Sequence, residues 1–575
     1  MNSISAPVSS TASLDDPFYY LANFRFVLDW VSDRHADLLS EQELAFGERF
    51  AAVPKAAQAL LVRMVMRKGD CFRSRKLEYA EIGAAREALT PLIEAGWVEA
   101  EPKLKLVELF RLLRLDELRQ ALAGEIAAAG LTSSASKAAI GEALLPELDQ
   151  PRPLAQWWPQ ASAVLGEERI VRLTLMPWCD RLRLMFFGNL RQDWSEFVLT
   201  ELGLQRFERV EWHPDSRAFR NREEVDAYLS LHALRERLAA GETPEELMAE
   251  VPTVPGDNVW LAQRRGRLLF HLGQAAERAG QVALALDLYG ASGAGLGGQV
   301  EARIRRLRLL ERMGEYRQAH SLASKALMAP ACEQEHQALE RLVPRLCRRL
   351  GLAAPEHAPE ATPQRFELCL ARAATVSVER AVAEHLTRPD APVYYVENTL
   401  VTGLFGLLCW PALFAPLPGA FFHPFHSGPA DLYRDDFVAR RRELFEASLA
   451  RLDEGSHGEA IWNTWREKRG LASPFVHWEG LDEAMLELAL RCIPAVHLRA
   501  CFERLLTDLR DNRAGLPDLI QFTPEAAESR YRLIEVKGPG DRLQDNQRRW
   551  LACFRQHGIP AAVCHVSWQP DRRHE

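Results

Sequence analysis

Cysteine is present but never in the close pairs that a zinc knuckle requires. Ten cysteines are scattered from Cys71 to Cys564, and the nearest two, Cys492 and Cys501, are too far apart for a CxxC clip. Reduced, mostly buried thiols are the expectation. Long apolar runs are missing as well. The most apolar stretch, about 393–414, is interrupted by Glu397, Asn398, Gly403 and Gly406 and meets Pro411, so it reads as a buried helix rather than a membrane span. The first fifteen residues lack the basic start and apolar run of a signal peptide. A short flexible tail over 1–15 and a cytoplasmic protein are therefore expected. Positive charge is not in excess: the net charge of −8 argues against indiscriminate nucleic-acid binding, though a local basic groove is compatible with it.

What is there suits an ordinary globular protein, with 47% hydrophobic and 26% charged residues. A chain of 575 residues is too long for one core, so about three or four domains are expected. Two helical segments, 56–69 and 83–96, each end at a glycine, and the short extended piece Trp97–Val98 comes next. This pattern predicts a small winged-helix-like unit within 16–150, closed by Pro146, Pro151 and Pro153. The span 151–390 reads as helical. Within it Gly280 followed by Ala285, and Gly314 followed by Ala319, repeat at an offset of 34 residues, the period of tetratricopeptide helix pairs. Helical repeats are therefore expected over about 225–385. From 391 to 575 the character changes to an apolar helix, a Gly/Pro/aromatic loop at 415–433, further helices and a strand-rich end.

That end carries the chemistry. Leu516–Phe522 reads as a strand entered through a turn at Gly515, and Tyr531–Lys537 as a second strand stopped by Gly538, Pro539 and Gly540. Side chains two apart on a strand share a face, so Glu535 and Lys537 project together while Ile534 and Val536 face the core. A hairpin would set Asp518 beside them. Two carboxylates suit a hard cation such as Mg²⁺ or Mn²⁺, with the Val536 carbonyl as a further oxygen and Lys537 to orient water or stabilise an oxyanion. A capped helix is expected to begin near Asp541 and stop at Gly558, with Gln544 and Gln547 on one face. Glu397, a charge early in an apolar helix, is a third carboxylate candidate. His423, His426 and Asp431 read as structural.

The run Gly515–Gln547 closely resembles the virus-type replication-repair nuclease (VRR-NUC) domain of the PD-(D/E)XK superfamily, and more specifically the Fanconi-associated nuclease family. Tyr395–Asn398, Gly419–Tyr433, and the upstream Tyr19, Tyr20, Asn23, Phe24, Leu61–Arg63 and Arg67–Gly69 extend the resemblance over nearly the whole chain. It implies a winged-helix and SAP-type DNA-binding region at 16–150, a tetratricopeptide-like region at 151–390 and a nuclease domain at 391–575. The fold class expected is multidomain: mostly α-helical N-terminal and repeat regions plus a C-terminal α/β nuclease domain. The implied activity is 5′-flap endonuclease and 5′→3′ exonuclease (phosphodiesterase I) action on DNA, in interstrand crosslink repair. The family's metal ligands fall on Glu397, Asp518, Glu535 and Val536, with Lys537 and Gln547 as partners in catalysis and Arg510 matching an arginine that binds a 5′-terminal phosphate in some members. Two departures stand out: no ubiquitin-binding zinc finger precedes the resemblance, and His426 stands where glutamine is expected.

Branched or flapped double-stranded DNA is the implied partner, held by a monomer. From Arg63 to Lys76 six of fourteen residues are basic (Arg63, Arg67, Lys68, Arg73, Arg75, Lys76), a patch suited to phosphate contacts. Arg264, Arg265 and Arg267 are further candidates, while many of the arginines at 303–308 have glutamates near them to pair with. Two alternatives remain open on the residues: a four-way-junction resolvase, and a helical-repeat DNA-binding scaffold without activity.

Overall fold

The computed structural model describes residues 12–148, 150–212, 216–254, 258–295, 298–355, 363–371 and 377–569. Most of the tail expected at 1–15, and parts of the helical-repeat span expected over about 225–385, lie outside them. The chain forms two compact units: one runs to Gln205 and includes Arg217–Val225, the other holds Arg206–Ser216 and Asp226–Glu575. No helix among the described residues is long and apolar enough to cross a membrane.

In the first unit, α1 (Tyr19–His35) buries Tyr20, Phe24, Val27 and Val31 on one face. The helices α2 (Lys55–Val65) and α3 (Ala85–Glu94) pack together, and the chain leaves α3 through Gly96 at φ +76°, a conformation that favours glycine. A three-stranded sheet accompanies these helices: β1 (Cys71–Arg73), β2 (Val98–Glu99) and β3 (Ile170–Leu173), with β3 in the middle and antiparallel to both neighbours. The boundary expected at 150 is thus crossed. The central strand of this sheet comes from beyond the prolines, because β3 returns to pair Val171 with Phe72 and Leu173 with Val98. Between them lies α4 (Leu106–Leu112) with other short helices around Leu104, Leu109, Leu118, Trp157 and Trp158.

Arg73 sits within this junction, only 5% exposed, and Nη1 is 2.6 Å from Glu117 while Nη2 is 2.6 Å from Glu168. It was expected on the DNA-binding patch; burial between two carboxylates removes it from that role. Breaking such a pair strands the remaining charges, at a cost of about 3–5 kcal/mol. Arg73→Ala should therefore lower the urea midpoint of the full chain's first unfolding transition, and an unchanged midpoint would contradict this reading.

In the second unit the repeats are α5 (Val259–Arg278), α6 (Val282–Ser292), α7 (Val300–Arg312), α8 (Tyr316–Met328) and α9 (Glu333–Leu350). The turns fall at Gly280 and Gly314, both left-handed, and Ala285 and Ala319 are fully buried where the paired helices meet. Arg303 pairs with Glu335 at 2.6 Å, Arg305 with Glu277 at 2.8 Å, and Arg345 with Glu311 at 2.6 Å, which ties successive repeats together. The repeats stop at Leu350, short of the expected 385. Beyond them come β4 (Gln364–Leu370), α10 (Val378–Leu386), β5 (Val393–Tyr395) and α11 (Leu400–Leu408).

The last strands, β6 (Leu519–Phe522), β7 (Tyr531–Lys537) and β8 (Ala561–Trp568), with α12 (Asp545–Gln556) before β8, complete a mixed sheet in the order β4-β8-β7-β6-β5. The strand β8 is parallel to both β4 and β7, whereas β6 is antiparallel to β7 and to β5. Since β4 pairs along its whole length with β8, the α/β domain reaches back beyond the expected start at 391. The apolar stretch 393–414 is also not one helix: strand β5 and a turn precede α11, whose every residue is buried.

Candidate active site

The register of the sheet assembles the site. Leu519 lies opposite Ile534, which ends the β6–β7 ladder, and Asp518 reaches past that end to accept a hydrogen bond at Oδ2 from the Val536 N–H at 2.8 Å. The N–H and C=O of one strand residue face the same neighbour. The Val536 carbonyl therefore opens on the Asp518 side, where no ladder partner remains. On the other side of β6, the Asp518 carbonyl accepts from the Val396 N–H at 2.8 Å, which sets the Glu397 turn beside it. Asn398 holds that turn in a left-handed conformation (φ +51°), and its Oδ1 accepts from the Leu516 N–H at 3.2 Å. Glu397 thus lies in a turn between β5 and α11, not within a helix.

The carboxylates differ in environment. Asp518 is 8% exposed, Glu535 1% and Lys537 8%, while Glu397 is exposed. Burial pushes Asp518 up to about 6, against the Val536 N–H that lowers it, and the charge of Glu397 adds to the rise. Burial likewise pushes Glu535 up to about 7, the charge of Asp518 adding to it and Lys537 opposing it. Lys537 Nζ stands 2.9 Å from Glu535 Oε1 as an ion-pair contact. Glu535 Oε2 is buried with no hydrogen-bond partner among the described residues. A buried carboxylate oxygen left so is costly unless something positive meets it. The residues present therefore fit a hard divalent cation, which oxygen donors of this kind would hold.

One acidic group was missed. Glu379, half-buried in the first turn of α10, acts electrostatically on Asp518 and on Tyr395. Its sequence signal is only a serine-capped helix start, Ser377 accepting from the Arg380 N–H.

The helix after β7 departs from expectation. It starts at Asp545 rather than near Asp541, because Gln544 caps it and Gln547 Oε1 accepts from the Gln544 N–H at 2.8 Å. Asp541 instead closes the turn, accepting from the Gly538 N–H at 3.0 Å. Gly515 brings this helix against the approach to β6. Its φ is +89°, and a Cβ there would lie 2.7 Å from Asn546 Cγ.

The other candidates are dispersed. Arg510 is exposed and reaches the Tyr433 carbonyl at 3.3 Å. Arg264 stacks on Tyr228 and Trp260, Arg265 donates to the Pro252 carbonyl at 3.0 Å, and Arg267 is exposed. In the other unit Arg63 packs on the Tyr20 ring and pairs with Glu81 at 2.6 Å, so it too is committed to structure. Arg67 donates to the Lys76 carbonyl at 2.7 Å, and Lys68, Arg75 and Lys76 are exposed. A cavity of about 520 Å³ opens there, lined by Arg67, Lys68, Lys76 and Arg111. Asp70, Cys71 and Glu108 also converge, but the Arg172 guanidinium already pairs with both carboxylates, 2.7 Å from Glu108 and 3.3 Å from Asp70. In the 415–433 loop Asp431 is fully buried between Arg440 and Arg441, at 2.6 and 2.9 Å. His423 and His426 stack at 3.8 Å, each accepting a backbone N–H, and burial lowers His426 to about 3.

A mixed sheet that presents Glu and Lys from one strand, with an Asp at the entry to the adjacent strand and a further turn-borne Glu, defines a nuclease domain of the PD-(D/E)XK type, a class that uses divalent metal. The family profile described as "VRR-NUC domain" matches residues 452–568, "FAN1, HTH domain" matches 18–99, and "Fanconi anemia-associated nuclease SAP domain" matches 103–157. The Fanconi-associated nuclease 1 homolog of Pseudomonas aeruginosa is 54% identical over 568 residues, covering 98% of each chain. The human Fanconi-associated nuclease 1 is 26% identical, and 62% of its length is covered. A crystal structure of paFAN1 bound to 2nt 5′-flap DNA with gap superposes with a TM-score of 0.91 at 52% identity, covering 97% of this chain and 100% of that one. The chain belongs to the Fanconi-associated nuclease family, and it is a structure-specific DNA nuclease.

Proposed function

We propose that the protein cleaves DNA carrying a 5′ flap, by endonuclease and 5′→3′ exonuclease (phosphodiesterase I) action dependent on Mg²⁺ or Mn²⁺, in interstrand crosslink repair. The observation that carries this is the buried, unpartnered Glu535 oxygen beside Asp518, in a chain closely similar to one solved on 5′-flap DNA. Asp518, Glu535, Glu397 and the Val536 carbonyl are the ligands in this reading. A divalent ion held there supplies positive charge to the scissile phosphate and lowers the pKa of water. Lys537, kept in place by Glu535, orients the attacking water and meets the charge that builds on the phosphate oxygens. Hydrolysis is in line, without a covalent enzyme intermediate. Gln547, occupied in capping α12, keeps the helix start against the strand ends.

In the same reading 16–150, extended by β3, is the duplex-binding region, with Arg67, Lys68, Arg75 and Lys76 as phosphate contacts. Arg510 and Arg267 are further candidates near the nuclease and repeat regions. Replacing Lys68 and Lys76 together with Ala should weaken duplex binding without regard to sequence and flatten the salt dependence by about two counterions. Fluorescence anisotropy at several salt concentrations measures this, and an unchanged slope would remove both lysines from the interface.

The deciding experiment is incision of 5′-flap, 3′-flap and four-way-junction DNA with Mg²⁺, Mn²⁺ or chelator. Metal-dependent cutting that favours the 5′ flap is expected. Preference for the junction would instead support the resolvase reading.

A further inference from the structure

Tyr395 is turned the opposite way from most tyrosines. A tyrosine at a protein surface normally buries its ring and leaves the hydroxyl to water. Tyr395 leaves 54% of its surface exposed while its hydroxyl donates to Glu397 Oε2. The geometry comes from the sheet. On β5 successive side chains alternate, so Tyr394 packs its ring against Phe522 at 5.9 Å while Tyr395 stands on the opposite face. Tyr395 is the last residue of β5, paired with Leu519 at the end of the ladder, and its hydroxyl reaches past that end to the Glu397 turn. Glu397, Asp518 and Glu379 all act on the phenol electrostatically.

We propose that Tyr395 is a positioning residue of the nuclease reaction, its hydroxyl orienting the Glu397 carboxylate as a metal ligand and its exposed ring supporting the nucleotide beside the scissile phosphate. This rests on the reading of Glu397, Asp518 and Glu535 as the metal site. The Glu397 turn needs such a donor: the carboxylate is exposed, and among the described residues its other oxygen receives Asn398 Nδ2 alone, at 3.2 Å. Hydrogen bonds to a ligating carboxylate set its orientation, and their loss typically weakens metal binding or activity about 10- to 100-fold. An exposed aromatic face is what an unstacked base rests on, whatever its sequence.

The two parts separate in Tyr395→Phe and Tyr395→Leu. Binding of Mn²⁺ to the DNA-free protein is followed by electron paramagnetic resonance. Contact with the nucleotide is followed by 2-aminopurine placed next to the incision site of a 5′-flap DNA, in chelator so that no cleavage occurs. The expected results are Mn²⁺ affinity lowered about tenfold in both variants, and 2-aminopurine quenching kept in the Phe variant but lost in the Leu variant. Cleavage by the Phe variant should recover with excess Mn²⁺, whereas the Leu variant should retain a raised KM for DNA. Wild-type Mn²⁺ affinity in the Phe variant, or wild-type quenching in the Leu variant, overturns the proposal. Failure of the unaltered protein to bind Mn²⁺ at all overturns the metal-site reading beneath it.

Discussion

Asp518→Asn is expected to reduce flap cleavage by roughly three orders of magnitude while leaving DNA affinity unchanged or slightly higher. The asparagine keeps an oxygen for the Val536 N–H, the bond that holds β6 and β7 together at the site. It loses the negative charge that a divalent ion needs, and with it part of the repulsion that raises Glu535. The fold should consequently survive, and thermal stability without metal should not fall. Single-turnover incision and anisotropy on the same 5′-flap DNA separate the two effects. Cleavage within tenfold of the unaltered protein would remove Asp518 from the site, and a parallel loss of DNA binding would mean that the substitution damages more than the metal position.

Legibility divides along the distance over which each feature is specified. Glu535 and Lys537 could be placed on one face because strand alternation is a local property, and the alternating Tyr531–Lys537 run carries it openly. The left-handed turns at Gly280 and Gly314 were readable for the same reason. Non-local pairing was not. The strand Ile170–Leu173 belongs to a sheet begun about a hundred residues earlier at Cys71, and Gln364–Leu370 joins a sheet whose partner strand starts at Ala561. Neither segment shows this in its own composition. Arg73 looked like a phosphate contact because its neighbours are basic, yet Glu117 and Glu168, which bury it, come from distant parts of the chain. The start of α12 was misplaced because two side chains competed for the cap. Asp541 is the better N-cap residue type, but it is used to close the Gly538 turn, and the Gln544–Gln547 box takes over. Glu379 escaped notice since only the packing of α10 against the sheet gives its charge a target.

The pH dependence of metal binding should be the largest effect obtained without altering a residue. Asp518 is raised to about 6 and Glu535 to about 7, mainly by burial. A ligating carboxylate must be ionised, so at pH values above both no proton opposes the metal, and affinity is flat. As the pH falls through about 7 Glu535 takes up a proton that the ion must displace, and through about 6 Asp518 adds a second, so below that the half-saturating Mn²⁺ concentration should rise by up to about 100-fold per pH unit. Stability of the metal-free protein runs the other way. Both groups have folded values above their ordinary 3.8 and 4.5, so their protons stabilise the fold fully only below those ordinary values, and that contribution is lost as pH rises through about 6 and 7. Their share of the effect is a lower melting temperature near neutral pH than near about pH 5, which added Mn²⁺ should reverse because it binds the ionised, folded form. Glu535→Gln removes one of the two groups. It should raise the metal-free melting temperature at about pH 8 and reduce the steep limb of the Mn²⁺ titration to about tenfold per unit. A half-saturation value that stays constant from about pH 8 down to about pH 5.5 would contradict the placement of these two carboxylates on the metal.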